Sequence, residues 1–316
     1  MLASAQSLGN LAGETSSSFT VSVSPQYPAP GSNVTLSFLS SSLDLANSTL
    51  TVSVGGKNTY RGSVQPVAIP LGKAGVVTPV AVTVTGGSGK FTQSLVIQPQ
   101  DVSLIAEPIA SVPVLYLGKP LVPIDGSVRV VAVATLRDAG GKTLDPATLS
   151  YSWTVDGAQI ADASGIGKEA AMVASPLQYR ARSVSVVVQS QTGNLVGGAA
   201  LSLSPAEPWV RIYENDPLLG IRYDHALSGT YTVRGSETSL FAEPFSLSKA
   251  SGASVLQWFL NGSAAQTGRS ITLRPTGTGQ GNASLSVTAS AGSSATATTN
   301  LSLSFGAAPS PNFFGL

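Results

Sequence analysis

One short pattern occurs three times in this chain, at intervals of about one hundred residues, which is the size of a small domain. In the copy at residues 149–157, the apolar residues Tyr151 and Trp153 alternate with polar residues. Such alternation places every second side chain on one face of a β-strand, where it can be buried. Related text occurs at residues 50–57 and 256–262. A strand pattern that recurs at a domain-sized interval predicts tandem β-domains.

Each copy of the pattern ends in a dipeptide that favours a tight turn. Gly-Gly, Asp-Gly and Asn-Gly suit two-residue hairpins because their residues tolerate a positive φ. In this chain the dipeptides are Gly55-Gly56, Asp156-Gly157 and Asn261-Gly262. Short strands separated by Gly-rich turns predict an all-β fold of Ig-like β-sandwiches.

The spacing of the copies predicts the division of the chain. The predicted segments are a leader or linker remnant at 1–15, sandwich domains at 16–99, 100–205 and 206–305, and a C-terminal tail at 306–316. The joints at 98–101 and 204–208 are short and contain proline, which stiffens a connection. We therefore expect an elongated, semi-rigid array.

Charged residues make up only 10% of the 316 residues, and the net charge is +1. Nucleic-acid binding needs clusters of Lys and Arg against the phosphates, and the sequence has no basic block. We therefore expect no nucleic-acid partner. The sequence also has no run of about twenty apolar residues, so no transmembrane segment is expected in this chain.

The first residues and the composition favour export. Ala3-Ser4-Ala5 has the small-x-small form of a signal-peptidase site. The chain has no Cys, so its folding is indifferent to the redox compartment. We expect a periplasmic, cell-surface or extracellular location, and the sequence leaves open whether a longer precursor carries a signal peptide or an anchor.

The repeated strand resembles a known family. Residues Tyr151-Ser152-Trp153-Thr154-Val155-Asp156-Gly157 are similar to the Tyr-x-Trp-x-Phe-Gly-Asp-Gly core of PKD repeats, an Ig-like β-sandwich family. The upstream pairs Gly31-Ser32, Gly126-Ser127 and Gly235-Ser236 resemble the start of that family's second strand. The resemblance covers about residues 16–305 in three copies, and the whole chain is similar to multi-domain exported proteins of candidate-phylum bacteria. It implies a spacer, binding or adhesion module of a cell surface or a secreted protein.

The residues needed for enzyme chemistry are scarce. His225 is the sole histidine, and no Gly-x-Ser-x-Gly motif accompanies it. A transition-metal site would need more His or any Cys. We therefore expect no enzymatic activity and no cofactor. A weak calcium candidate remains in Glu214, Asp216 and Asp224, for which capping and turn formation is the plainer interpretation.

The aromatic residues are interpreted by their position. Trp153 and Trp258 lie mid-strand at the repeated position, so we predict that they and Tyr151 form the sandwich cores rather than sugar-stacking platforms. Trp209 follows Pro208 and is expected to pack at a joint between domains. The remaining tyrosines considered show no stripe: Tyr60, Tyr179, Tyr213, Tyr223 and Tyr231.

Two segments are expected to be extended insertions that make contacts. Residues 107–123 and 214–229 are longer than usual hairpin loops, and they are apolar enough to need covering. The cover would be a neighbouring domain or another molecule. The contact candidates are Leu115, Tyr116, Leu218, Leu219, Ile221 and Tyr223, with Phe313 and Phe314 in the tail.

These features give one leading interpretation and one alternative. The leading one is a non-enzymatic, exported structural or adhesion module of the cell surface or of a surface appendage. It would act through protein–protein contacts, with other surface proteins or by self-association. The alternative is a polysaccharide-binding accessory protein, for which aromatic side chains exposed on one face are expected. A hydrolase is disfavoured by the missing catalytic residues.

Overall fold

The computed structural model describes residues 19–306, apart from residues 88, 115, 234, 251, 277–279 and 293–294. Within this part of the chain, the regular elements are β-strands and one 3₁₀ helix, Pro146–Thr148, with no α-helix. The predicted all-β class is confirmed. Among the same residues, no helix is long and apolar enough to cross a membrane.

The first sandwich has two antiparallel sheets. Its strands are β1 (Thr20–Ser24), β2 (Asn33–Leu39), β3 (Thr49–Val54), β4 (Lys57–Ser63), β5 (Val67–Pro70), β6 (Thr78–Gly86) and β7 (Gly89–Ile97). One sheet has the order β1-β2-β5 and the other β4-β3-β6-β7. Leu36, Leu50 and Val82 are buried in their shared core. The chain thus crosses between sheets after β2 and again after β4 and β5, as in Ig-like sandwiches.

The middle part of the chain repeats this strand order. Its strands are β8 (Asp101–Pro108), β9 (Ser127–Thr135), β10 (Ser150–Val155), β11 (Ala158–Gln159), β12 (Gly165–Ile166), β13 (Ala170–Ala174), β14 (Arg182–Gln189) and β15 (Val196–Leu203). The sheets have the orders β13-β9-β8 and β11-β10-β14-β15, with β12 also paired to β10. Trp153 on β10 lies opposite Val186, and both are buried.

The third sandwich has the same plan with two added strands. Its strands are β16 (Trp209–Asp216), β17 (Gly220–Leu227), β18 (Thr230–Val233), β19 (Thr238–Phe245), β20 (Val255–Leu260), β21 (Ser263–Thr267), β22 (Ser270–Leu273), β23 (Gly281–Ala291) and β24 (Ala295–Phe305). The sheets are β17-β16-β19-β22 and β18-β24-β23-β20-β21. The added strands are β17, at a sheet edge, and β18, which pairs in parallel with β24.

Residues 214–229, expected to be an extended insertion, comprise the end of β16, a turn and the added strand β17. β16 and β17 form an antiparallel hairpin, in which Ile212 lies opposite Leu227 and Asp216 opposite Gly220. The sequence hides the hairpin because its register shifts between Tyr213 and Asn215, which breaks the period-two alternation.

The three predicted turns have the left-handed conformation that their sequences favour. The φ angles are 58° and 82° at Gly55-Gly56, 50° and 83° at Asp156-Gly157, and 49° and 80° at Asn261-Gly262. Positive φ at both central residues characterises a type I′ hairpin turn. In two copies the first turn residue also reaches the next strand of the sheet. Asp156 Oδ1 accepts the N–H of Ser183 at 2.9 Å, and Asn261 Oδ1 that of Ser284 at 2.8 Å.

Replacing Gly262 by alanine is expected to destabilise the third sandwich by roughly 1–2 kcal/mol, because an L-residue at this φ crowds its own carbonyl. Nothing lies within 4 Å of the added Cβ, so the loss would be conformational. Gly281→Ala is the matched control, since Gly281 also has open space around it and is not at positive φ. Chemical denaturation should separate the two variants, and equal stability would contradict the assigned turn.

The chain folds into two compact units. One comprises Met1–Ile105, Val131–Ala171 and Ser183–Leu201, and the other Ala106–Val130, Met172–Arg182 and Ser202–Leu316. The first sandwich belongs to the first unit and the third sandwich to the second. The predicted domain boundaries after residues 99 and 205 stay a prediction.

Candidate functional site

The tip of the β16–β17 hairpin presents two leucines to solvent. Leu218 is 92% exposed and Leu219 is 71% exposed. The carboxylate of Asp216 holds the turn, because its Oδ1 accepts the backbone N–H groups of Leu218 at 2.8 Å and of Leu219 at 2.9 Å. These bonds, chiefly that from Leu219, lower the pKa of the Asp216 carboxyl. The tip is therefore an ordered turn with an exposed apolar end.

The structure does not assemble the calcium candidate. Glu214 accepts a hydrogen bond from the hydroxyl of Tyr231, Asp216 holds the hairpin turn, and Asp224 forms an ion pair with Arg222. Over residues 19–306, excluding the nine that the structure does not describe, no group of three or more His, Cys, Asp or Glu side chains could hold a metal ion. Asp216 thus has the turn role of the plainer interpretation, whereas Glu214 and Asp224 are engaged by neighbouring side chains.

The side of the β17-β16-β19-β22 sheet that faces away from the core is unusually aromatic. Val210, Ile212, Leu240 and Ala242 point into the core of the third sandwich. Their neighbours along β16 and β19 point outwards, since side chains alternate along a strand. The register then places opposite one another the pairs Trp209 and Phe245, Arg211 and Glu243, and Tyr213 and Phe241.

Ring contacts connect these residues with others of the same compact unit. Trp209 stacks on Phe245, with ring centroids 5.4 Å apart. Tyr116 meets the same ring edge-on at 5.9 Å, and Tyr213 meets Tyr223 edge-on at 5.1 Å. We call the outward-facing Trp209, Tyr213, Tyr223, Phe241 and Phe245, together with Tyr116, the aromatic face. Tyr116 and Tyr223 remain exposed, whereas Tyr213 and Phe245 are buried.

An ion pair between a buried carboxylate and a half-exposed guanidinium lies within the aromatic face. Glu243 is 1% exposed although it points away from the core. Both of its carboxylate oxygens accept hydrogen bonds from Nη1 of Arg269, at 2.8 and 3.0 Å, and Oε2 also accepts the Tyr223 hydroxyl at 3.4 Å. Burial raises the pKa of the Glu243 carboxyl, and Arg269 opposes this rise. Burial, chiefly, also raises the pKa of the Tyr223 and Tyr213 hydroxyls.

The segment 107–123 is tied to the chain after β19. Ser111 donates its backbone N–H to Leu247 and accepts that of Ser246, and its hydroxyl accepts the N–H of Leu247. Farther on, Ala206 donates its N–H to Val122. These bonds join parts that the sequence assigned to its second and third domains. Between the two anchors, Val114, Tyr116, Leu117 and Leu121 are exposed.

The core candidates are buried inside the sandwiches. Trp153 and Trp258 are fully buried, and their indole Nε1 groups donate to the carbonyls of Lys168 and Gly268, each at 2.9 Å. Tyr151 is buried and donates its hydroxyl to the carbonyl of Pro146. Burial first, and then Glu169 and Asp145, raise its pKa to about 12.

The remaining candidates lie in different environments. Leu218 and Leu219 are exposed at the hairpin tip, Ile221 is partly buried, and Tyr116 and Tyr223 belong to the aromatic face. His225 is exposed on β17. The contact candidates Leu115, Phe313 and Phe314 lie outside the described residues.

Sequence reasoning missed the residues that assemble around Glu243. It named Tyr223 as a contact candidate but treated Tyr213 as scattered, and it did not single out Phe245 or Arg269. The sequence does contain a signal for these residues. Large or charged side chains occupy alternate positions at Trp209, Arg211 and Tyr213, and again at Phe241, Glu243 and Phe245. Both faces of these strands are rich in large side chains, which is unusual for a sheet with one solvated face.

No protein-family model and no curated protein matches the sequence, and the PKD resemblance stays a hypothesis. The chain is similar to several solved structures at low sequence identity. The three N-terminal domains of the Highly Immunogenic Outer Capsid protein of bacteriophage RB49 align over 92% of this chain and 100% of that one, with 14% identity and a TM-score of 0.24.

Two further solved structures are similar to this chain at comparably low sequence identity and TM-score. The central fibronectin-III array of RIM-binding protein covers 89% of this chain and 93% of its own, at 8% identity and a TM-score of 0.28. The Bacteroides ovatus glucan utilization protein SGBP-B, in complex with a mixed-linkage heptasaccharide, aligns over 93% of this chain and 71% of its own. The identity is 13% and the TM-score 0.22. The Ig-like assignment of the present chain follows from its strand order and register.

Proposed function

We propose that this chain is a non-enzymatic, exported module that works at a cell surface or in a surface appendage through protein–protein contacts. Tandem Ig-like sandwiches are typical of protein-interaction modules. The observation that carries the proposal is the hairpin tip, where Leu218 and Leu219 are exposed and the turn beneath them is held by Asp216.

The hairpin tip can add binding energy because its leucines are apolar and its turn is already ordered. Burying one leucine side chain in a partner's apolar pocket is favourable by roughly 1.5–3 kcal/mol. Because the Asp216 bonds already hold the turn, binding needs to restrict little further backbone motion, so more of this gain remains as affinity. The exposed Val114, Leu117 and Leu121 supply further apolar contact area in the same compact unit.

Two features support a role without catalysis. His225 is exposed on an edge strand, and the carboxylates nearest to it in sequence are engaged in a turn and an ion pair. The carboxylate of the buried Glu243 is held by Arg269 and the Tyr223 hydroxyl. A second candidate function, polysaccharide binding, is favoured by the aromatic face.

Site-specific photocrosslinking in the producing cells tests the contact role. A photoreactive phenylalanine analogue at position 218 should crosslink to a defined partner, either another surface protein or a second copy of this chain. The same analogue at Lys57, which is exposed in a hairpin of the first sandwich, is the matched control and should not produce that product. Protease added to intact cells should digest the chain, as expected for a surface location.

Adding Leu219→Ser to the chain that carries the probe should reduce the crosslinked product several-fold, because one of the two apolar contacts is lost. Two results would refute the proposal. One is equal crosslinking from positions 218 and 57, and the other is full protection of the chain from external protease together with its recovery in the cytoplasm.

A further inference from the structure

The aromatic face has a composition that neither core packing nor the hairpin tip accounts for. Sheet faces turned to water normally have polar side chains, yet here rings surround a buried carboxylate. Burying a charge is costly unless it is paired and hydrogen-bonded. Glu243 meets this requirement through Arg269 and Tyr223, and the result is a rigid polar centre framed by rings.

Hydrogen-bond donors remain available at this centre. Both bonds from Arg269 to Glu243 come from Nη1, and the Arg269 side chain is 46% exposed. Within the part of the chain that the structure describes, Nε and Nη2 of Arg269 make no hydrogen bond. A guanidinium held in place by a carboxylate, with donors left over, is well suited to a ligand that carries acceptor oxygens.

The charges around Glu243 favour an anionic ligand. Arg211 lies directly opposite Glu243 in the β16–β19 register and is exposed. Lys249 is also exposed and is near enough to interact electrostatically with Glu243. Arg269 and Lys249 thus interact with Glu243, and Arg211 lies opposite it in the register, so these three cations outnumber the one carboxylate in a chain with few charges overall.

The form of the site favours a saccharide over a peptide. The backbones of β16 and β19 are paired on both sides, so the face offers no main-chain groups to a peptide strand. It offers the exposed rings of Tyr116 and Tyr223, together with the partly exposed Trp209. Flat rings beside fixed hydrogen-bond donors suit a pyranose ring and its oxygens.

We propose that the aromatic face is a binding site for a carboxylate-bearing polysaccharide. The sugar carboxylate would pair with Arg211 and the available donors of Arg269. The pyranose rings would pack on Tyr116 and Tyr223. This inference rests on the second candidate function, polysaccharide binding, and its ligand is distinct from the partner of the Leu218–Leu219 tip.

Isothermal titration calorimetry on the full chain tests the site. The probes are oligosaccharides of galacturonate, of mannuronate and guluronate, and of glucuronate. A maltooligosaccharide of equal length serves as the neutral control and poly-L-glutamate as the acidic peptide. At least one oligouronate should bind in a salt-dependent manner. The maltooligosaccharide, which lacks the charge, and poly-L-glutamate, which lacks the sugar rings, should bind at least about tenfold more weakly.

Two surface variants locate the binding site. Arg211→Gln should weaken oligouronate binding by about tenfold, since it removes one charge-assisted contact. Tyr116→Ala should weaken it several-fold through the loss of ring contact. Lys57→Gln, which removes an exposed cation from the first sandwich, should leave binding unchanged, as should Leu218→Ser. Circular dichroism verifies that each variant is folded.

Several outcomes would overturn the proposal. They are no binding by any oligouronate, equal binding by Arg211→Gln and the unmodified chain, or equal affinity for the neutral oligosaccharide. Binding of poly-L-glutamate with the same affinity and the same dependence on Arg211 would assign the face to acidic peptides instead. None of these results bears on crosslinking at position 218, so the two proposals can fail separately.

Discussion

Replacing Trp258 by alanine is expected to lower the free energy of unfolding of the third sandwich by about 3–5 kcal/mol. The side chain is fully buried between the two sheets, so truncation leaves a cavity among Leu256, Val287 and their neighbours. It also removes the donor for the carbonyl of Gly268. Trp153→Ala should have a similar effect, because Trp153 has the same position, burial and type of hydrogen bond.

Thermal and chemical denaturation followed by circular dichroism would measure both losses. Trp258→Phe is the matched control, because it keeps an aromatic six-membered ring in the core and loses the five-membered ring with its N–H donor. It should cost roughly 1–2 kcal/mol. Wild-type melting temperatures for both alanine variants would show that these residues are not what holds the sandwiches together.

Replacing Arg269 by glutamine is expected to destabilise the third sandwich by about 2–3 kcal/mol at neutral pH, through the loss of the cation that balances the buried Glu243. Breaking a fully buried ion pair costs about 3–5 kcal/mol. The lower value is expected here because Arg269 is half-exposed, so that water can reach the space it leaves.

The effect of Arg269→Gln should depend on pH in a defined direction. Burial raises the pKa of Glu243 above its usual value in the folded chain, and Arg269 limits that rise. A raised folded-state pKa means that the folded chain holds this proton more tightly than the unfolded chain. The stabilisation is therefore complete below the unfolded-state pKa of the carboxyl and is lost as the pH rises through the folded-state pKa. Without Arg269, the folded-state pKa of Glu243 rises further. The loss of unfolding free energy of the variant relative to wild type should therefore be smaller at pH 4 than at pH 7.

Arg274→Gln provides the matched control for this prediction. Arg274 also pairs with a glutamate, Glu237, but both side chains are largely exposed. An exposed pair contributes about 0–1 kcal/mol, so the control should unfold almost like the wild type at both pH values. If the two arginine variants were equally stable, Glu243 would not depend on its partner. If Arg269→Gln lost the same unfolding free energy at pH 4 as at pH 7, the loss would come from packing rather than from charge.

The sequence alone was sufficient for the fold class and for the turns, because both depend on neighbouring residues. Alternation with period two shows which side chains of a strand can share a buried face, and it identified Trp153 and Trp258 before any pairing was known. The dipeptides at 55–56, 156–157 and 261–262 adopt positive φ because of their own steric freedom. Local chemistry was thus enough for these features.

Strand pairing, by contrast, decided which distant residues meet. A single chain read in order does not show that Trp209 lies opposite Phe245, or that the carboxylate of Glu243 meets Arg269. The register shift in β16 also concealed the hairpin that exposes Leu218 and Leu219. The aromatic face exists because cross-strand register brings together residues that are separated in sequence, and register is set by the packing of whole sheets rather than by local preference.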